Sequence, residues 1–262
     1  MSDSVLLEVD ENLATISLNR PEKLNAFTDT MLFELVSAID QCEQNPAVRV
    51  VILTGNGRGF CAGGDVTAMG ADADNRPLTT KMHVTEAIQA FPKRMATFNK
   101  PVIAAVNGVA AGGGMDLALA CDIRTAAKSA KFGETYAKIG LLPGGGGAYY
   151  LPRIVGASKA LELLLTAEFI DADKAQEIGL VSHVYPDESL LEETRKIARR
   201  IASLPPYSVM NIKRTVYQSL NTDLHGALEI VSSHIAIAKA SDDHAEAIAA
   251  FREKRPGNYQ GE

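Results

Sequence analysis

The stretch from Lys100 to Asp122 constrains the fold more than any other part of this chain. It contains a short, β-branched apolar run, Val102 to Val106, bounded by a proline and by an asparagine–glycine pair, which is typical of a strand buried on both faces. Three glycines, 112 to 114, then lead into good helix formers. Because these glycines lack Cβ atoms and the first N–H groups of a helix have no internal partners, the corner could hold a developing negative charge. A turn that merely packs a strand tightly against a helix would use the same glycines.

Composition and charge narrow the class of protein. The chain has 262 residues, 46% hydrophobic and 22% charged, as in an ordinary globular protein. Its net charge of −6 argues against nucleic acid as a main partner, because phosphate binding favours a basic face. Three cysteines fit free thiols in a reducing compartment better than a disulfide framework. The first residues do not resemble a signal peptide and no apolar stretch approaches membrane-spanning length, so we expect a cytoplasmic protein with no membrane partner.

Local patterns predict several elements at the start of the chain. Two β-type runs, Val5 to Val9 and Leu13 to Leu18, predict a hairpin. Thr28 is the predicted N-cap of a helix that extends to about residue 43. A further helix is predicted from Lys81 to Phe98, with a kink or break at Pro92.

Strand and helix patterns alternate up to about residue 185, and only helical patterns follow. This predicts an α/β core formed by residues 1–185 and a helical region formed by residues 186–262. A strand, a glycine corner and a helix recur near residues 48–68 and 102–120. Stacking such units in register would place both glycine corners at one end of the sheets.

Several common motifs are weak or missing from the sequence. Gly57 to Ala62 formally fits the dinucleotide pattern G-x-G-x-x-G/A, but the following Gly-Gly-Asp delays the helix that this pattern requires. There is no P-loop and no G-x-S-x-G nucleophile elbow. The five histidines show no spacing typical of metal ligands, so we predict no metal site.

Three segments in chain order carry a resemblance to a known family: Asn19 to Ala26, Phe60 to Asp65 and Gly108 to Asp116. With them the chain resembles, nearly from end to end, the crotonase superfamily, also called the enoyl-CoA hydratase/isomerase family. The resemblance implies an α/β fold, a crotonase-like spiral of ββα units with a C-terminal helical region that builds trimers or hexamers. It also implies acyl-CoA thioester substrates and no metal or redox cofactor.

The same resemblance assigns roles to individual residues. Backbone N–H groups of Ala62 and Gly113 are expected to bind the thioester oxygen as it gains negative charge, in a site shielded from water. Phe251 and Lys254 are expected to reach in from the C-terminal helix of this or a neighbouring subunit, although Lys254 could instead be a surface cation that complements the helix dipole. The residues expected to bind substrate and coenzyme A are Lys23, Leu24, Ala26, Gly64, Asp65, Val66, Phe251 and Lys254.

The candidate acid–base residues depart from the two glutamates of a typical hydratase in this family. Asp116 stands at the first position and Tyr136 at the second; dienoyl-CoA isomerases of the family keep acids where this chain has Tyr136 and Gly144. We expect Asp116 to be the base, although an acid in a first helical turn also stabilises the dipole. Tyr136 either donates a hydrogen bond or a proton, or simply packs. Glu134 is the alternative acid, and it would share a face with Tyr136 if the preceding strand extended that far.

These features indicate an enzyme of the hydratase/isomerase type that stabilises a thioester enolate. A 2-enoyl-CoA hydratase has the broadest support from the family. The changed second acid shifts the expectation toward isomerisation, C–C hydrolysis or decarboxylation of an unusual acyl-CoA, since those reactions manage with one acid–base group or a tyrosine. A non-catalytic acyl-CoA-binding homologue is the alternative from another class.

Overall fold

A computed structural model of the chain describes residues 4–65, 67 and 76–261. The fully buried strands are rich in valine, isoleucine and alanine, as the sequence predicts for strands covered on both faces. In chain order, the strands within these residues are β1 (Val5–Asp10), β2 (Leu13–Leu18), β3 (Val50–Gly55), β4 (Gly59–Cys61), β5 (Val102–Val106), β6 (Val109–Ala111), β7 (Ile123–Ala127), β8 (Lys131–Gly133), β9 (Ile170–Asp171) and β10 (His183–Tyr185).

The strands form two sheets. The first has six strands in the order β1, β2, β3, β5, β7, β10; β1 and β2 pair antiparallel as the predicted hairpin requires, and the other neighbours pair in parallel. The second has four strands in the order β4, β6, β8, β9, with β4, β6 and β8 parallel and β9 antiparallel to β8. The sequence patterns did not predict the short strands β4 and β6.

The helices cover the sheets and extend beyond them. They begin with α1, whose N-cap is Thr28 as predicted, since the Thr28 hydroxyl oxygen accepts a hydrogen bond from the N–H of Met31. The helices are α1 (Asp29–Gln44), α2 (Pro77–His83), α3 (Ala90–Met95), α4 (Gly113–Leu119), α5 (Gly147–Val155), α6 (Ala157–Thr166), α7 (Ala172–Glu177), α8 (Leu190–Ala202), α9 (Pro206–Ser219), α10 (Leu224–Lys239) and α11 (Asp242–Glu253).

The chain passes repeatedly from the first sheet to the second. β3 is followed by β4, β5 by β6, and β7 by β8, and in each case the second strand joins the four-stranded sheet. After β6 the chain enters α4, all of whose residues are buried. This arrangement is the predicted spiral of ββα units, and it places the two glycine corners, after β4 and after β6, beside each other.

The helices after residue 186 differ in how closely they pack on the sheets. α8 lies on the six-stranded sheet, where the hydroxyl oxygens of Thr194 and Thr125 are 2.7 Å apart and both residues are fully buried. α9 is tied to the chain after α4 by Asp122, which accepts hydrogen bonds from Lys213 and Tyr217. No residue of α9 or α10 is fully buried. The assignment of this region to subunit assembly stays a prediction.

The predicted helix from Lys81 to Phe98 is interrupted in a different place. A single π-helical turn, Val84–Ile88, separates α2 from α3. Pro92 lies inside the first turn of α3, where a backbone N–H has no intrahelical partner to lose. The predicted interruption of this helix is therefore present, but it lies on the N-terminal side of Pro92.

Candidate active site

Two glycine corners contact each other where β4 and β6 end. A Cβ on Gly114 would lie 2.0 Å from the carbonyl oxygen of Cys61. A Cβ on Gly63, whose φ is +96°, would lie 2.9 Å from the carbonyl oxygen of Ala111. The backbones approach this closely only because both positions lack side chains. The corners that the sequence predicts to lie at one end of the sheets are therefore in direct contact.

Phe27 joins both corners. Its N–H donates to the carbonyl oxygen of Gly63 at 2.8 Å, and its own carbonyl oxygen accepts from the N–H of Asp65 at 2.9 Å. Its ring lies against α4, since a Cβ on Gly113 would be 2.6 Å from the ring atom Cζ. Phe27 is buried, so it holds the peptide at Gly64 and the first residue of α4 in one place.

Two backbone N–H groups at this junction have no hydrogen-bond partner among the residues that the structure describes. Gly113 is the first residue of α4, so its N–H has no partner inside the helix. The N–H of Gly64 makes no hydrogen bond to a described residue, because the bridge to Phe27 uses the peptides on either side of it. Both N–H groups can therefore donate to another molecule.

The prediction that Ala62 supplies a free N–H is wrong. That N–H donates to the carbonyl oxygen of Leu24 at 3.0 Å. Sequence reasoning could not show this pairing, because it depends on how the Asn19–Ala26 segment folds over β4. Gly64, which the sequence analysis placed in the coenzyme A channel, is the unpaired N–H on this corner.

Asp116 and Tyr136 form a hydrogen-bonded pair beside α4. Asp116 lies in the first turn of α4 and is 1% exposed. Its Oδ2 accepts from the Tyr136 hydroxyl at 2.6 Å and from the N–H of Gly145 at 2.9 Å. The Tyr136 hydroxyl also lies 3.4 Å from the position of a Cβ on Gly113, and Tyr136 is only partly buried. The Tyr136 hydroxyl thus lies against Asp116 and close to the first residue of α4.

Glu134 lies beside Asp116, although β8 ends at Gly133 and the chain turns into a single 3₁₀ turn. Strand alternation therefore does not place it. Asp116 Oδ1 and Glu134 Oε1 lie 2.4 and 2.8 Å from the point that a Cβ on Gly147 would occupy. Glu134 is 0% exposed, and in the described part of the chain both of its oxygens, together with Asp116 Oδ1, lack a hydrogen-bond partner.

Burial raises the pKa of each group in this cluster. It raises the pKa of Asp116 to about 6, against the opposing effect of hydrogen bonds from Tyr136 and Gly145. Burial, together with the charge of Asp116, raises the pKa of Glu134 to about 9. The pKa of the Tyr136 hydroxyl is also raised, first by burial and then by Asp116. The two carboxyls therefore titrate as a pair that holds one proton at neutral pH.

Asn25 and Leu24 fasten the Asn19–Ala26 segment to the corner. Asn25 is fully buried, and its Nδ2 donates to the carbonyl oxygens of Gly59 at 2.8 Å and Asn56 at 3.0 Å. Sequence reasoning missed this residue. Its φ of +56° is one that asparagine tolerates, but neither this conformation nor the pairing with β4 leaves a local signal in the sequence. Leu24 packs on Gly59, and Arg20 donates to the carbonyl oxygen of Ala26.

Two other residues predicted to bind coenzyme A, Lys23 and Asp65, differ in exposure. Lys23 is exposed beside the corner. The Asp65 carboxylate accepts hydrogen bonds from the Thr67 hydroxyl and, at 3.0 Å, from Arg20. These hydrogen bonds, of which the one from Thr67 has the largest effect, lower the pKa of Asp65 to about 2.

Two further predicted positions do not join the cluster around Asp116. Phe251 is 85% exposed on α11, and Lys254 is exposed at the C-cap of that helix. Val66 lies outside the described residues.

Within the described part of the chain, no group of three or more histidine, cysteine or acidic side chains is arranged to hold a metal ion. In the same residues, no helix combines the length and apolar character needed to cross a membrane.

Comparison with known proteins identifies the family to which the chain belongs. The profile of the family described as Enoyl-CoA hydratase/isomerase matches residues 8–262. The chain belongs to the enoyl-CoA hydratase/isomerase family. It is 37% identical to the 1,2-epoxyphenylacetyl-CoA isomerase of Escherichia coli (strain K12) over 261 residues, which cover all of both chains. It is 39% identical to the crotonyl-CoA hydratase of Syntrophomonas wolfei, over 98% of each chain.

Solved structures of the family have the same fold. The crystal structure of enoyl-CoA hydratase from Bacillus anthracis superposes with a TM-score of 0.93 at 36% identity, covering 99% of this chain and all of that one. The protein is therefore a crotonase-fold enzyme of the hydratase/isomerase type, as the resemblance implied.

Proposed function

We propose that this enzyme transfers a proton at the acyl group of an unsaturated coenzyme A thioester and stabilises the resulting enolate in an oxyanion hole. The observation that carries the proposal is the pair of unpaired N–H groups, of Gly64 and Gly113, beside the Tyr136–Asp116 hydrogen bond. A thioester oxygen placed against both N–H groups would bring the adjacent carbon atoms toward the Tyr136 hydroxyl.

The chemistry follows from the charges. Removing a proton next to a thioester leaves an electron pair that moves onto the thioester oxygen as an enolate. Preorganised donors in a site that excludes water stabilise that charge. The ionised Asp116, acting with Tyr136, supplies the basic group that accepts the proton and returns it to another carbon. The proposal gives the reaction no metal or redox cofactor.

Isomerisation of a double bond is the reaction that this cluster supports best. Hydration through two carboxylates needs both of them ionised or exchanging protons with a water, whereas Glu134 is fully buried behind Asp116. One ionised carboxylate is sufficient to move a proton from one carbon to another. The similarity to the Escherichia coli isomerase is consistent with this choice, and the similarity to the Syntrophomonas wolfei hydratase makes hydration the alternative.

Turnover in D₂O separates these reactions. A panel of straight, branched, cyclic and aromatic enoyl-CoA thioesters is incubated with the enzyme. The products are separated and their masses are measured by mass spectrometry. Isomerisation is expected to incorporate deuterium without gain of oxygen, whereas hydration adds a whole water. Release of carbon dioxide or cleavage of a C–C bond in place of either outcome would overturn the proposal.

Coenzyme A binding is the second part of the proposal. We place the coenzyme along the Lys23–Ala26 segment and the Gly64–Val66 corner, with Phe251 and Lys254 contributed by this or a neighbouring subunit. Titration calorimetry with acetyl-CoA should show binding and the free acid should bind much more weakly. The absence of binding at millimolar acetyl-CoA would remove the proposal.

A further inference from the structure

Glu134 and Asp116 carry three buried carboxyl oxygens that have no hydrogen-bond partner among the described residues. These atoms are Glu134 Oε1, Glu134 Oε2 and Asp116 Oδ1. Buried polar atoms in native proteins are nearly always paired, because each unpaired one keeps its full desolvation cost. Asp116 Oδ1 and Glu134 Oε1 lie close together, 2.4 and 2.8 Å from one point, the position of a Cβ on Gly147. Both are acceptors if the two groups are ionised, so the arrangement is stable only with an added hydrogen.

Among the described residues, no cationic side chain pairs with either carboxyl. The partners of Asp116 Oδ2 are the Tyr136 hydroxyl and the Gly145 N–H, and the remaining oxygens of the pair have none. The other titratable group that faces Asp116 from a packed element is Tyr150 of α5, whose pKa is raised to about 12 by burial and by nearby charges including Asp116. Tyr150 is therefore uncharged at neutral pH, and a proton is the available means of neutralising the second carboxyl.

We propose that Glu134 is a positioning residue that is protonated and donates a hydrogen bond from its carboxyl to Asp116 Oδ1. Asp116 is then a carboxylate held at both oxygens, and it accepts from Tyr136. From the interior toward the substrate, the order is Glu134, Asp116, Tyr136. The use of that charge in catalysis rests on the proposed function, whereas the shared proton does not.

The order of burial supports this arrangement. Glu134 is 0% and Asp116 1% exposed, and Tyr136 alone of the three is partly open. Glu134 therefore acts through Asp116 and does not deliver a proton to substrate itself. Gly147, the first residue of α5, leaves the room for the two carboxyls to meet, because a Cβ there would lie 2.4 Å from Asp116 Oδ1.

The number of protons is conserved when a proton moves between the substrate and this cluster. The substrate C–H bond breaks, its electron pair moves onto the thioester oxygen, and the proton goes to the Tyr136–Asp116 unit. The buried pair then contains two protons and no charge, and it returns to one proton when the substrate is reprotonated at another carbon.

The pH dependence of Glu134→Gln tests the proposal. The amide of glutamine can donate to Asp116 Oδ1 as a protonated Glu134 would, and it cannot ionise. We expect the variant to retain turnover at neutral pH within roughly threefold, and to lack the loss of kcat that wild type shows as Glu134 ionises at alkaline pH. Glu134→Ala removes the donor and should lower kcat by about tenfold or more with KM unchanged. Glu168→Gln, at an exposed position, is the matched control.

A second measurement does not depend on activity. Infrared difference spectra of the unliganded enzyme, between neutral and alkaline pH, should contain the carbonyl stretch of one protonated carboxylic acid that is lost on alkalinisation and missing in Glu134→Gln. No such band in wild type, or a Glu134→Gln variant as inactive at neutral pH as Asp116→Asn while still binding acetyl-CoA, would overturn the proposal. A band present in an enzyme that binds no coenzyme A thioester would leave the shared proton standing and remove the proposed function.

Discussion

Asp116 has two oxygens with different surroundings, and this difference governs its chemistry. Oδ2 is held by Tyr136 and Gly145, and Oδ1 faces Glu134. Replacing one atom of the Asp116, Glu134 or Tyr136 side chain alters the number of protons in the cluster without changing its shape. Isosteric substitutions of these side chains therefore test its chemistry.

Asp116→Asn keeps the shape of the side chain and removes the proton acceptor. Turnover should fall by roughly 10²–10⁴-fold, the usual contribution of one acid–base group, while acetyl-CoA binding by calorimetry is retained. Tyr136→Phe should lose a comparable factor if its hydroxyl carries the proton, and much less if the ring only packs. Full turnover of Asp116→Asn on the true substrate would show that another group is the base.

Glu134→Gln should make the protein more stable at alkaline pH. The pKa of Glu134 is raised by folding from its ordinary value of 4.5 to about 9, so the native state binds a proton that the unfolded state releases. Wild-type stability is full below the unfolded value and is lost progressively as pH rises through the folded value. Glutamine removes this dependence.

Thermal denaturation in parallel at acidic and alkaline pH measures the effect. The Tm of the glutamine variant should exceed that of wild type at about pH 8.5, with a much smaller difference at about pH 5. The control Glu168→Gln should show the same difference at both. A constant offset for Glu134→Gln across the whole range would contradict a raised pKa.

At the scale of elements, the contact between the end of β4 and the start of α4 positions the two N–H donors. Gly114 is the tightest point of this contact, since a Cβ would meet the Cys61 carbonyl at 2.0 Å. The donors are placed by backbone against backbone, so a shift of α4 would separate the N–H groups of Gly64 and Gly113.

Gly114→Ala should therefore reduce both stability and activity. Overpacking a buried contact typically costs about 1–3 kcal/mol, and nothing flexible can move aside here because the opposing atom is backbone. Gly144→Ala is the control, because its Cβ would make only ordinary contacts, at 3.7 Å from Ile88 Cγ2 and 3.9 Å from the Leu142 carbonyl oxygen. Urea denaturation and the turnover assay should separate the two variants; equal behaviour would mean that the corner is not tightly packed.

At the scale of the whole molecule, the outer helices expose an apolar surface that a solitary chain would leave in water. The exposed side chains recur every four residues along α9 and at helical spacing on α10, and the two helices pack together. Such a patch on a folded protein marks an interaction surface. Its residues are Ile212, Val216, Leu220, Leu224, Leu228 and Ile235, each more than half exposed.

We predict that this surface assembles the protein into a trimer or a dimer of trimers. Val216→Glu with Leu228→Glu places charges in the patch and should shift the mass measured by light scattering at micromolar protein toward that of one chain. Phe33→Glu, an equally exposed apolar position on α1, should leave the mass unchanged. A wild-type protein that scatters as a single chain would contradict the prediction.

Signals confined to a few neighbouring residues were sufficient to predict much of the fold. The Thr28 cap, the buried run of β5 and the hairpin of β1 and β2 follow from capping, apolar runs and turn residues, which act within a few positions of the chain. The same sequence, through its resemblance to a family, also indicated Gly113 and Asp116. The conclusion that the chain is an enzyme of the hydratase/isomerase type was within reach of the sequence for this reason.

Contacts between distant segments determined the rest. The N–H of Ala62 is used by Leu24, Asn25 fastens its segment to β4, and Glu134 meets Asp116 across the start of α5. None of these pairings leaves a periodic or local signal, because each depends on where two segments far apart in the chain come to lie. The pKa of a carboxyl is equally nonlocal: burial among side chains from several elements raises it, and only the packed fold brings those elements together.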